Sequence, residues 1–123
     1  MNKPLPKQGK IVPKAWGYEL WIYNTTDYCG KLLVFNKGSK FSMHFHIKKD
    51  ETWYISSGKI SIKHIDTSDA SILDEELVEG DVWRNKPGEP HQVYACEDSV
   101  IFEVSTTHFD EDSYRVFPGD SQS

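Results

Sequence analysis

Short apolar segments alternating with polar residues recur along most of the chain, separated by clusters of Gly, Asn, Asp, Ser and Pro. The alternation has the two-residue period of half-buried strands, and the 3.6-residue period of an amphipathic helix does not run through it. It predicts strands over residues 18–23, 30–36, 40–46, 52–56, 59–65, 72–78, 81–84, 91–96 and 100–105. Turns come about every 8 to 12 residues, the rhythm of a sandwich or barrel. The expected fold is all-β, a double-sheet jelly roll whose closure protects its own edges. The inward positions are expected to be Leu33, Phe35, Phe41, Trp53, Ile55, Ile60, Ile62, Trp83, Val93 and Phe102.

A chain of 123 residues has room for one core. The domain is expected to span the whole chain, with an N-terminal arm over 1–14, a barrel over about 15–106 and a tail over 107–123. Aromatic residues make up 13%, which suits strands. The net charge of −5, with scattered basic residues, argues against a nucleic-acid partner. No apolar run approaches the roughly 18 residues of a membrane span, and MNKPLPKQGK lacks the apolar stretch of a secretory signal, so a cytoplasmic location and no membrane partner are expected. Cys29 and Cys96 read as free thiols. The arm could be lent to a second copy as an edge strand, giving a homodimer.

Candidate chemistry is concentrated in GSKFSMHFHIKKDETWYISSG. On a strand His44 and His46 share a face while Phe45 takes the other, so both imidazoles can reach one ion. Glu51 follows the short link IKKD and heads a same-face set with Trp53 and Ile55. A further ligand, His91, follows the stiff loop KPGEP.

These two segments resemble the paired motifs of the cupin superfamily. Gly38, His44, His46, Glu51 and Gly58 fit the first motif without a gap, and Gly80, Gly88 and His91 keep the offsets of the second. The second departs where Lys86 takes the usual proline position, with Pro87 displaced by one, and where Ala95 takes that of an asparagine. Over residues 14–116, KAWGYELWI and EVSTTHFDEDSYRV bracket the motifs so that the chain resembles the C-terminal cupin domain of type II mannose-6-phosphate isomerases. Trp16-Gly17, Lys31, Glu51-x-Trp53, Gly58, Glu103 and Arg115 stand at corresponding places. The chain departs in spending four residues between His46 and Glu51, and in carrying Lys48 and Lys49 where an arginine is common.

The resemblance implies a cupin double-stranded β-helix acting on mannose 6-phosphate and fructose 6-phosphate, or on a related sugar or sugar phosphate, with a divalent metal. Three imidazoles and a carboxylate suit zinc, manganese, iron, cobalt or nickel. Glu103 is the expected base or orienting partner. Lys31, Lys48, Lys49 and Arg115 are candidates to meet a phosphate, Arg115 by its bidentate fork. His64 reads as structural, His108 as a solvated loop histidine and Trp53 as core. Trp16 could stack on a sugar ring, although an aromatic in its setting is more often core. Two other readings fit the same ligands: a mononuclear dioxygenase, and a non-catalytic sugar-binding protein.

Overall fold

The computed structural model describes residues 8–123, which form two antiparallel sheets face to face. In chain order the strands are β1 (Lys10–Lys14), β2 (Gly17–Asn24), β3 (Cys29–Phe35), β4 (Met43–Phe45), β5 (Glu51–Ser57), β6 (Lys59–Ile65), β7 (Ile72–Val78), β8 (Val82–Asn85), β9 (His91–Ala95), β10 (Ser99–Ser105) and β11 (Tyr114–Phe117). One sheet runs β1-β2-β3-β10-β5-β8 and the other β11-β4-β9-β6-β7, so sequence neighbours repeatedly cross between layers as in a jelly roll. No helix among the described residues is long and apolar enough to cross a membrane.

Strand alternation sets the core. Along β3, Cys29, Lys31, Leu33 and Phe35 are buried while Gly30, Leu32 and Val34 face outward. Ile55 on one sheet meets Ile60, Ile62 and Val93 from the other in a shared apolar cluster. Trp16 stacks on Phe35 with centroids 4.4 Å apart, and Phe41 sets its edge against Trp16 and Trp53. Gly58 joins β5 to β6 with a φ of 85°, and a Cβ there would collide with Ser99 and the Asp98 carbonyl.

Three expectations need correction. Phe102 points outward and is half-buried, because its neighbours Ile101 and Glu103 take the inward positions of β10. Lys10–Lys14 of the arm is a strand of this chain's own sheet, pairing Ile11 with Leu20 and Pro13 with Tyr18; residues 1–7 lie outside the described residues. Part of the expected tail is β11, which pairs with the ligand strand β4.

Candidate metal centre and its cavity

The three histidines meet where β4 and β9 pair, with His44 directly opposite His91 and His46 just past the end of β4. Each ring is fixed by a backbone carbonyl at Nδ1: Ser42 at 2.7 Å from His44, Asp112 at 2.5 Å from His46, and Glu89 at 2.9 Å from His91. A carbonyl only accepts, so each Nδ1 carries the hydrogen and each Nε2 presents a lone pair. One ring nitrogen from each histidine lies within 4.8 Å of the others. Burial, reinforced by the neighbouring rings of His91 and His46, pushes His44 well below the ordinary histidine range. Burial likewise lowers His46. Both therefore favour the neutral form a metal ligand requires.

The buried Nε2 of His91 finds no hydrogen-bond partner, yet it stands 3.0 Å from Oε1 of Glu51. A ring lone pair facing a carboxylate oxygen repels it, so the contact calls for a proton or a cation between them. A divalent transition metal held by the three Nε2 atoms meets that need, and the donor set fits it. Glu51 is less free than its spacing suggests. Oε1 also accepts a hydrogen bond from Asn85 Nδ2 at 3.1 Å, and Oε2 lies 3.3 Å from Lys49 Nζ.

Lys49 is the centre of a second buried cluster. Its ammonium reaches Glu103 Oε2 at 2.8 Å, Glu51 at 3.3 Å and His108 Nδ1 at 3.5 Å. Oε1 of Glu103 accepts from the Trp53 indole at 3.2 Å. Burial would raise Glu51, but the charge of Lys49 leads the opposing causes and Glu51 is held well below the usual carboxylate range. Glu103 goes the other way: burial and the charge of Glu51 raise it, and Lys49 offsets them only in part. Burial disfavours the Lys49 ammonium, yet the two carboxylates more than reverse this and raise its pKa.

Asp112, which the sequence reading passed over, holds both clusters in place. Its carboxylate accepts the backbone N–H groups of Ile47 at 2.8 Å, Lys48 at 3.1 Å and Lys49 at 3.1 Å, while its carbonyl orients His46. One residue thereby fixes a ligand and the loop that aims Lys49 inward. Only its place among acidic residues in HFDEDSYRV could have drawn attention to it.

These groups line a cavity of about 430 Å³ between the sheets, shared by His44, His46, Lys49, Glu51, Trp53 and Glu103. Lys31 lines it as well, buried, with Nζ 3.1 Å from Glu19 and 4.5 Å from the centre of the Trp21 ring. Arg115 is exposed at the edge of the cavity, on β11 opposite His44, and Lys10 and Lys14 of β1 join the lining.

Lys48 does not reach the cavity: it is exposed, with Nζ 5.1 Å from the Phe109 ring centre. The loop pinned by Asp112 turns Lys49 inward and its neighbour outward, so Lys48 does not stand where the expected phosphate contact would need it. His108 also departs from the solvated role expected of it. It lines the cavity, sets its edge on Trp21 at 5.3 Å and keeps Nε2 at 3.0 Å from Asp110. Burial, with help from Lys31 and Lys49, pushes it down to about 4. Trp53 and Trp16 are both buried, though each contributes to the cavity wall. His64 stays outside the cavity against Trp83, as a structural residue would, with Nε2 buried and unpaired.

No protein-family model matches the chain, and no curated protein matches it in sequence. Solved structures do match it in shape. Oxalate decarboxylase from Bacillus subtilis superposes with a TM-score of 0.76 at 15% identity, over 94% of this chain and 33% of that one. The capsular polysaccharide assembling protein CapF from Staphylococcus aureus gives 0.81 at 19% identity, over 91% and 32%. KdgF from Halomonas sp. gives 0.66 at 19% identity, over 76% and 81%. The chain thus spans about a third of the length of the first two. All three neighbours have the cupin fold, and this chain shares it.

Proposed function

We propose that this chain is a metal-dependent sugar-phosphate isomerase, moving a proton between adjacent carbons of an open-chain sugar such as mannose 6-phosphate. The observation that carries the reading is a cluster of three histidine nitrogens, from His44, His46 and His91, set beside a cavity whose wall His44 and His46 share with a buried carboxylate, Glu103, held by an ammonium. A divalent ion on His44, His46 and His91, with Glu51 beside it, would polarise the substrate carbonyl. Glu103 takes the proton from the carbon next to that carbonyl, and the C–H electron pair becomes the second bond between the two carbons. The former carbonyl oxygen takes up the hydrogen that the neighbouring hydroxyl gives up, and returning the proton to the former carbonyl carbon leaves the new carbonyl on the neighbouring carbon, an isomerisation that needs no other reactant.

Lys49 holds Glu103 in place and offsets the negative charge that gathers beside it. Arg115, Lys10 and Lys14 suit a phosphate at the mouth, where a guanidinium can grip two oxygens. An enzymatic role also accords with the oxalate decarboxylase among the structural neighbours.

The test is solvent-deuterium incorporation into hexose and pentose phosphates, followed by NMR with metal-loaded protein, beside Glu103→Gln and His91→Ala. Exchange and turnover are expected in the wild type. They should fall about 10²- to 10⁴-fold in Glu103→Gln, with the metal retained. His91→Ala should lose the metal. Absence of exchange with every sugar phosphate by fully loaded protein would sink the proposal; oxygen uptake with an enediol would point to a dioxygenase, and binding without product to a sugar-binding protein.

A further inference from the structure

The two sheets treat their outer faces differently. Across the six-stranded sheet, backbone pairing aligns Ile11, Leu20, Leu32, Phe102, Tyr54 and Val82 in one row spanning every strand. All six point away from the cavity, since the residues beside them, Leu33, Ile101 and Trp53 among them, are buried. A row on one side carries Tyr18, Val34 and Val100, and a row on the other carries Val104 and Thr52. Arg84, at the β8 edge, is the one charged side chain in these rows, and Asp50 holds its guanidinium with bonds of 3.0 and 2.7 Å.

The five-stranded sheet supplies the contrast. Its outer face pairs Lys63 with Asp74 and Gln92, and Ser61 with Glu76 and Tyr94, as a water-facing surface should. In a chain with 27% charged residues, six strands presenting one charged side chain, already paired, are not built for water.

We infer that the outer face of the six-stranded sheet is the interface of a homodimer, with a second copy of this chain lying face to face on it. Six strands spaced about 4.8 Å apart and three rows about 6.7 Å apart give a plan area of roughly 600 Å². That lies at the lower bound of the roughly 600–1,000 Å² per partner of a stable complex, before side-chain relief is added. A face almost free of charge is complementary to itself, because a two-fold axis through Phe102 buries no unpaired ion. The contact leaves the cavity clear, since the cavity opens on the inner side of the same strands.

Matched tyrosines give the test. Tyr54 on this face and Tyr94 on the other sheet are each 46% exposed in the monomer. Hydroxyl-radical labelling of the wild type at about 1 and about 100 µM should slow several-fold at Tyr54 with rising concentration and stay constant at Tyr94. Light scattering should give twice the 14.2 kDa chain mass at the higher concentration. Tyr54→Lys combined with Val104→Lys, both at exposed positions, should return a folded monomer. A wild type that stays monomeric, equal labelling of the two tyrosines, or a dimer unmoved by the lysines would each overturn the inference. The labelling decides even where the double variant fails to fold.

Discussion

Lys49→Met removes the ammonium that joins Glu51 and Glu103 while keeping most of the side chain's apolar stem, so the loss is electrostatic. Breaking a buried ion pair from one side costs about 3–5 kcal/mol, because the partner remains buried and uncompensated. Here two carboxylates are left, so the upper half of that range is expected. With a urea dependence of about 1.5 kcal/mol per molar for a small domain, the unfolding midpoint should fall by roughly 3 M. The pH dependence follows from the two carboxylates. Glu51, held below 4.5 in the folded protein, contributes stability above its unfolded pKa that is lost as pH falls. The variant lacks most of this contribution. Glu103, already raised above 4.5, rises further without Lys49, so the folded variant takes up a proton before the unfolded chain does. The Glu103 effect shrinks the deficit as pH falls from neutral towards 4.5, and the Glu51 effect shrinks it further below 4.5. The assay is urea unfolding from pH 5 to pH 8 with a chelator present, so that no cation replaces the ammonium, with Lys48→Met as the exposed control. A midpoint shift under about 0.5 M, or a pH profile parallel to the wild type, would refute the neutralising role of Lys49.

Asp112→Ala strips the acceptor from three backbone N–H groups and should cost about 1–3 kcal/mol. By loosening the loop behind His46 it should also weaken metal binding about 10- to 100-fold in a chelator competition; wild-type affinity in the variant would show that Asp112 does not position the ligand. His108 titrates near 4 in the folded protein against 6.5 ordinarily, so the unfolded chain binds more protons between those values and stability falls as pH drops through that window. His108→Asn should flatten this slope by on the order of 1–2 kcal/mol, allowing for partial solvent exposure, and an unchanged slope in thermal unfolding from pH 4 to pH 7 would contradict the assignment.

The parts of the fold that bury a face were legible, because burial writes a two-residue period into the sequence. β1 and β11 carry no such mark. KIVPK is an exposed edge strand containing proline, and all four residues of YRVF are exposed, so backbone pairing to β4 holds that strand without a buried face. The histidines were legible for a related reason: strand geometry makes His-x-His a same-face pair whatever surrounds it. Lys48 and Lys49 sit in a loop, where no period says which turns inward. The choice is made by Asp112, more than sixty residues away. Phe102 and Glu103 show alternation misleading in the opposite direction. Hydrophobicity alone sends Val100, Phe102 and Val104 inward, yet the inner face carries Ile101 and Glu103, because the interior is a polar site.

That inversion bears on what the cavity can receive. Its deep charges are already tied to one another, Lys31 to Glu19 and Lys49 to Glu51 and Glu103, so a second anion arriving there would have to break a buried pair. None of the ion pairs among the described residues uses Lys10, Lys14 or Arg115, which also line the cavity. In a chain of net charge −5 these cations are the local exception. An anionic substrate would therefore anchor its charged end on them and send its neutral, hydroxyl-bearing end towards the histidines. This is the orientation that isomerisation of an open-chain sugar phosphate demands, with the phosphate at the far end of the carbon chain from the carbonyl.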